Sequence, residues 1–195
     1  MAEQIIDGTG TGKRAKIDST NHLATRSITE KESLESAVNG NQYLVTSGGM
    51  ALTSAAASAV LYFKNAEDFP LVLNRIIFGA AVSTNGTTNV CAVAVTVNPT
   101  GLGSGSGNPA VGVNSNFGSS NTLTLTSSEI GQQGATVTGG TAGPTLFFPD
   151  KLTSTFDTDI VLPKGSSIAI AVTPPASNTS LVVAASINVH KLIED

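Results

Sequence analysis

The sequence predicts an all-β protein, a sandwich or barrel of short strands preceded by a charged arm. From residue 41 onward apolar residues recur with a period of two, and turn sequences such as SGG, NPTG, PKGS and TPPASN separate the runs. This pattern is typical of half-buried strands joined by tight turns. The composition agrees, since Trp is absent, 5% of the residues are aromatic, and 12% are charged, about half of the usual quarter.

The uneven placement of charge divides the chain into an arm, residues 1–40, and a sandwich domain, residues 41–195. Eleven charged residues lie in the first 35 positions, whereas Glu129 is the only one between Ile76 and Pro149. A charged segment of this kind is expected to be extended, and the nearly neutral segment is expected to hold the sheets.

One short helix is predicted at the end of the arm. Thr29 and Glu32 have the spacing of a capping box, Leu34 and Val38 are four residues apart, and an Asn-Gly pair follows as a stop. About two turns are too few to be stable alone, so this helix must dock on another element.

Eleven strands follow from the alternating runs. They are predicted at Gln42–Thr46, Met50–Ser54, Ala59–Lys64, Leu71–Phe78, Asn89–Val97, Asn121–Thr126, Ala135–Thr138, Thr145–Phe148, Asp159–Leu162, Ser167–Thr173 and Ser180–Lys191. The Gly-rich segment Gly101–Pro109 between them is predicted to be a flexible surface loop.

Three of these strands carry a second face of small, nearly uncharged residues. These faces comprise Val90, Ala92, Ala94 and Thr96; Ser167, Ala169 and Ala171; and Val182, Ala184, Ser186, Asn188 and His190. Small side chains let another backbone approach closely, and uncharged sheets invite association, so part of this face could pack between subunits. The alternative is a solvated polar face, and the sequence leaves both open.

Charge and cysteine content exclude several classes of protein. A net charge of −4 gives no basic field for neutralising phosphates, so nucleic acid is not an expected partner. The single Cys91 cannot form a disulfide within the chain, and among valines it is expected to behave as a small apolar residue. No signal peptide or membrane-spanning stretch is visible, so synthesis in the cytoplasm without a membrane partner is expected.

The motifs that suggest chemistry lack the required context. Gly8–Arg14 resembles a phosphate loop but lacks its first glycine, because Asp7 stands at that position. His22 and His190 are predicted to be ordinary surface or interface histidines. Asp157 and Asp159 could bind calcium or act as a glycosidase pair, but are expected to be turn or strand-entry residues. We therefore expect no catalytic residue, metal or cofactor.

The basic residues of the arm are the candidates for anchoring it to a partner, with a merely solvated tail as the alternative. They are Lys13, Arg14, Lys16 and Arg26. Acidic residues follow at once, which argues against a dedicated nucleic-acid arm.

Four strings along the chain resemble a group of virion structural proteins of tailed bacteriophages. They are IIDGTGTGKRAKIDSTNHLATRSITE, AVLYFKNAEDFPLVLNRIIF, NFGSSNTLT and IVLPKGSSIAIAVTPPASNTS. The resemblance implies a jelly-roll-like antiparallel β-sandwich on the exterior of a capsid, as a decoration (cement) protein or a short head fibre. It implies the major capsid protein as partner and self-association, with a homotrimer expected from the geometry of local three-fold axes.

A receptor- or glycan-binding part of a head or tail fibre is the alternative function. Its sugar site would lie in loops such as Leu102–Phe117, where Phe117 is the only aromatic residue available for stacking. An enzyme that uses Asp157 and Asp159 ranks third.

Overall fold

A computed structural model describes residues 16–17, 23–24, 32–53, 55–82, 90–104, 108–149, 153–175 and 181–192. The chain divides into two compact units, Met1–Lys31 and Glu32–Asp195. In the first unit, Lys16–Ile17 pairs antiparallel with Leu23–Ala24. The short helix, which the sequence assigned to the arm, belongs to the second unit.

The elements in chain order are β1 (Lys16–Ile17), β2 (Leu23–Ala24), α1 (Glu32–Val38), β3 (Gln42–Thr46), β4 (Met50–Leu52), β5 (Ser58–Lys64), β6 (Leu71–Val82), β7 (Val90–Val97), β8 (Gly101–Gly103), β9 (Asn108–Pro109), β10 (Val111–Asn114), β11 (Glu129–Ile130), β12 (Thr136–Thr138), β13 (Thr141–Pro149), β14 (Thr153–Leu162), β15 (Ser167–Thr173) and β16 (Leu181–Lys191).

Two six-stranded antiparallel sheets form most of the second unit, with α1 and a two-stranded sheet of β8 and β12 beside them. Sheet 1 has the order β10-β3-β16-β6-β14, with β4 also pairing with β16, and sheet 2 has the order β13-β7-β15-β5-β11-β9. The long strands alternate between the sheets along the chain, except that β7 and β13 are neighbours in sheet 2. This is the connectivity of a jelly roll, so the predicted all-β sandwich with one short helix is confirmed.

The core lies between the inner faces of the two sheets and follows the predicted alternation. On β16, for example, every second residue from Leu181 to Val189 is fully buried, and Phe63 and Phe78 are the largest of the fully buried side chains. Burial of one such side chain contributes about 1.5–3 kcal/mol. The thiol of Cys91 lies in this core, as predicted.

The long connection between β7 and β13 differs most from the predictions. The predicted loop Gly101–Pro109 contains β8 and β9, because β12 and β11 supply pairing partners for its backbone. The predicted strand Asn121–Thr126 is absent, although its Leu123 and Leu125 pack against the core. Side-chain contacts hold residues 121–126 in place of backbone hydrogen bonds to a neighbouring strand. The Thr124 amide, for example, donates to Glu67 Oε1 at 2.6 Å.

Asn65 forms hydrogen bonds to several connecting segments at one end of the sandwich. We call this end the helix end. Its buried side-chain amide donates to the carbonyls of Phe69 (3.0 Å) and Leu162 (2.8 Å). Its backbone pairs with Ser166 and Gly165 of the β14–β15 turn. The helix α1 packs at the same end, because Ser36 Oγ donates to the carbonyl of Lys191 and α1 contacts β3 and β16.

Candidate interaction surfaces

Three large apolar side chains are exposed at the helix end. Leu34, Val38 and Phe117 have exposed fractions of 55%, 67% and 90%, and we call them the end cluster. Leu34 and Val38 lie one turn apart on the same side of α1. The loop that carries Phe117 meets the end of α1, because the side-chain amide of Asn116 donates to the Val38 carbonyl at 2.8 Å.

The helix docks on the sandwich through its polar side, which leaves its apolar pair facing outward. Ser36, on the side opposite to the end cluster, is fully buried. The helix was expected to dock, and it does, but Leu34 and Val38 do not make the contact. The sequence could not reveal this inversion, because the spacing of an apolar pair does not say which surface covers it.

A glycine cap fixes the end cluster in place. Gly40 has φ of +71°, and hydrogen bonds run from its amide to Ala37 and from Asn41 to Ser36, as in a Schellman motif. The Gly40 carbonyl accepts the side-chain amides of Asn114 and Asn121 at 2.9 and 3.2 Å. The end of α1 is thereby fastened to the loop that carries Phe117.

A second apolar surface lies on the outside of sheet 2, and we call it the sheet 2 strip. It comprises Val90, Ala92, Ala94, Phe147 and Ala171, of which Phe147 is 70% exposed. Phe147 lies opposite Ala92, and Ala171 lies opposite Ala94, so these side chains share one face. The adjacent Phe residues of an alternating strand point to opposite faces, which is the sequence signal that could have identified Phe147.

The small-residue face predicted from the sequence divides into two surfaces on opposite sides of the sandwich. The members on β7 and β15 lie outside sheet 2, and those on β16 lie outside sheet 1. Ser167, Ala169 and His190 are buried within the chain, so for these three both predicted alternatives were wrong. Other elements of the chain pack on the outer faces of these strands. The strands β8 and β12 contact β5, and β12 also contacts β15, which carries Ser167 and Ala169. The helix α1 contacts β16, which carries His190.

The outside of sheet 1 combines exposed valines with one ion pair. Val111, Val113 and Val182 are exposed there. Arg75 Nε lies 2.6 Å from Asp157 Oδ1, with exposed side-chain fractions of 48% and 72%. Asp157 is thus occupied with a cation, and it lies with the exposed Asp159 on the edge strand β14. Among the described residues, no group of metal-ligating side chains converges.

Two clefts adjoin each other at the helix end. One, of about 490 Å³, is lined by Glu35, Asp68 and Lys191 among others, and the second, of about 540 Å³, by Lys64 and Lys164. Lys164 Nζ lies 2.5 Å from Asp68 Oδ1, so one ion pair forms the boundary between them. The hydrogen bond and charge of Lys164 lower the pKa of Asp68, and the same ion pair raises the pKa of Lys164.

The predicted anchoring residues fall almost entirely outside the described part of the chain. Lys16 lies in β1 opposite Ala24, whereas Lys13, Arg14 and Arg26 lie outside the described residues, as does His22. Their role in anchoring stays a prediction.

Comparison of the chain with known protein families, curated proteins and solved structures found no match. The part of the chain that the structure describes contains no helix long and apolar enough to cross a membrane.

Proposed function

We propose that this protein is a structural virion protein that decorates a bacteriophage capsid and stabilises it by bridging coat subunits. The N-terminal arm, with Lys13, Arg14, Lys16 and Arg26, is the proposed anchor. The resemblance of four strings to virion proteins supports the phage context. In this proposal the protein is made in the host cytoplasm and is located on the capsid exterior.

The end cluster is the observation that carries the proposal. Leu34 follows Lys31, the last residue of the arm unit, by three positions, so the proposed anchor and this exposed apolar surface are close in the sequence. An arm held by a coat subunit would keep this end at a high local concentration beside the capsid. Apolar contacts by the end cluster then add to the ionic contacts of the arm, and together they connect neighbouring subunits.

The sheet 2 strip supports self-association as part of the same proposal. Its exposed Phe147 and Val90 form an uncharged surface that a second copy can cover without desolvating a charge. A homotrimer is the proposed assembly, because a trimer fits the local three-fold axes of a capsid.

Binding to particles stripped of the protein tests this function. Substitution of Leu34, Val38 and Phe117 by Ser should weaken binding about tenfold or more, because each loses apolar area in the contact. Val182→Ser, at an exposed valine of sheet 1, is the matched control and should leave binding unchanged. Replacing the four basic arm residues by Gln should also weaken binding, and more strongly at low salt.

The number of copies in purified particles distinguishes decoration from a fibre. Decoration requires a copy number that scales with the coat protein, whereas a few copies per particle would refute it. Unchanged capsid binding by both the end-cluster and the arm variants would also refute the proposal.

A further inference from the structure

The second cleft at the helix end brings two lysines together on a body that has few cations. We call it the lysine cleft; it measures about 540 Å³ and opens on the outside of sheet 2. Lys64 and Lys164 line it together with the polar side chains of Asn98, Thr100 and Ser166. None of the described residues that line it is acidic.

The floor of the cleft is set by the register of β5 and β15. Phe63 is buried in the core, so the next residue, Lys64, is directed to the outer face, opposite Ser167. Ser167 Oγ donates to the Pro99 carbonyl at 2.6 Å, and its amide donates to Asn98 Oδ1 at 3.2 Å. The wall formed by residues 98–100 is therefore fixed to the floor, and Asn98 is held there at φ of +51°.

The opposite wall is the turn that carries Lys164. The Gly165 amide donates to the Asn65 carbonyl at 2.8 Å, which holds this turn against the buried Asn65. Asp68 binds Lys164 from the side of the neighbouring cleft. An ammonium group has several N–H donors, so one bond to Asp68 leaves others for a ligand in the lysine cleft.

The other placed cations of the body are engaged elsewhere. Arg75 pairs with Asp157, and Lys191 lies 4.5 Å from the ring centroid of Phe69 beside the neighbouring cleft. The lysine cleft is thus the place where the described body concentrates positive charge, although the whole chain has a net charge of −4.

We propose that the lysine cleft binds an acidic sugar, that is, a polyhydroxylated ring carrying a carboxylate or a phosphate. The two ammonium groups suit an oxyanion through charge-assisted hydrogen bonds. The side-chain amide of Asn98 and the hydroxyl of Ser166 suit the ring hydroxyls, and the Thr100 hydroxyl, which donates to the Thr138 carbonyl at 3.0 Å, can still accept. The volume falls in the range of small-molecule sites. This site is separate from the loop 102–117 and from the end cluster, and it is independent of the decoration function.

Titration of the full-length protein by NMR with glucuronate, glucose 1-phosphate and glucose tests the site. The two acidic sugars should give saturable shifts at residues of the lysine cleft, and neutral glucose should give none. Comparison of the two acids identifies which oxyanion is preferred. Binding should weaken as the salt concentration rises, because Lys164 is exposed and Lys64 is only half-buried, so salt screens their charges.

The affinity of variants around the Lys164–Asp68 pair tests the site more specifically than the choice of sugar does. Lys64→Gln and Lys164→Gln should each weaken binding about tenfold. Asp68→Asn should tighten it several-fold, since Lys164 loses its competing carboxylate. Lys191→Gln is the matched control on the neighbouring cleft and should leave binding unchanged.

Three results would overturn the proposal: no saturable binding of either acidic sugar, equal binding of glucose, or loss of affinity in Lys191→Gln as large as in Lys64→Gln. All four substituted positions lie at the surface, and thermal unfolding of each variant verifies that its fold is retained.

Discussion

The strands β13 and β14 follow each other in the chain and form edges of the two sheets, but their outer sides differ. Both contribute half-buried apolar residues to the core, Leu146 and Phe148 from β13 and Phe156 and Ile160 from β14. On the outer side, β14 carries Asp157 and Asp159, whereas β13 carries no charge over its nine residues. Charge on an edge strand discourages pairing with another chain. Carboxylates therefore protect β14, whereas Pro144 and a bulge interrupt the edge of β13, and its uncharged outer face is the part that the proposed self-association would use.

The largest expected effect on folding stability comes from the two adjacent Phe residues of β13, of which Phe148 points into the core and Phe147 points outward. Phe148 stacks on the buried Phe78 with ring centroids 5.6 Å apart. We expect Phe148→Ala to lower the free energy of unfolding by about 3 kcal/mol, because it leaves a cavity and removes the stacked pair. Phe147→Ala, on the exposed side, should change it by less than about 0.5 kcal/mol. Urea denaturation of both variants measures this difference, and equal losses would contradict the assignment of the two faces.

A charge placed on the exposed side of β13 should weaken the proposed self-association. We expect Phe147→Lys to weaken self-association about 30-fold, since a lysine in the sheet 2 strip must be desolvated in the contact. Val161→Lys on β14 is the control, because Val161 is similarly exposed but lies on the protected edge. Sedimentation equilibrium measures the association constants of both variants. An unchanged association constant for Phe147→Lys would mean that the sheet 2 strip is not the interface.

Removal of a charge from β14 should make the two edges more alike. We expect Asp159→Thr to increase association about twofold, because Thr fits a strand and an unpaired carboxylate is lost, while Asp157 is kept as the partner of Arg75. Static light scattering over a concentration series measures the change. A fall in association would indicate that this carboxylate attracts a partner instead of repelling one.

The smallest expected effect concerns the ion pair that joins β14 to β6. Arg75 and Asp157 are largely exposed, so Asp157→Asn should cost less than about 0.5 kcal/mol of folding stability. Thermal denaturation at low and high salt tests this. A larger loss that disappears in salt would assign the pair a structural role in addition to protection of the edge.

The contrast between the edges also explains how far the sequence predicted the fold. Gln42–Thr46 and Ser167–Thr173 lie inside their sheets, so burial imposes a strict alternation and their predicted bounds agree with the structure. The edge strand β14 begins at Thr153, six residues before the predicted start, because the outer side of an edge strand accepts polar residues. The sequence alternation at 121–126 reflects Leu123 and Leu125 covering the core without strand pairing.

The candidate surfaces were harder to predict than the strands. The lysine cleft joins Lys64, Asn98 and Lys164, which are far apart in the chain and meet only through the pairing of β5 with β15. The end cluster depends on which side of α1 is buried, and that is the side of Ser36, which bonds to the Lys191 carbonyl. Such contacts depend on tertiary geometry, which local spacing does not contain.

The position of β3 determines how the body responds to mechanical force. A pull on residues 1–31 reaches the sandwich through α1, whose end is held by the amides bound to the Gly40 carbonyl. Beyond it, β3 lies between β10 and β16 and pairs antiparallel with both. Force along its axis must shear two ladders at once instead of opening hydrogen bonds one after another. A pull on the N-terminus would therefore load a strand that is paired on both sides.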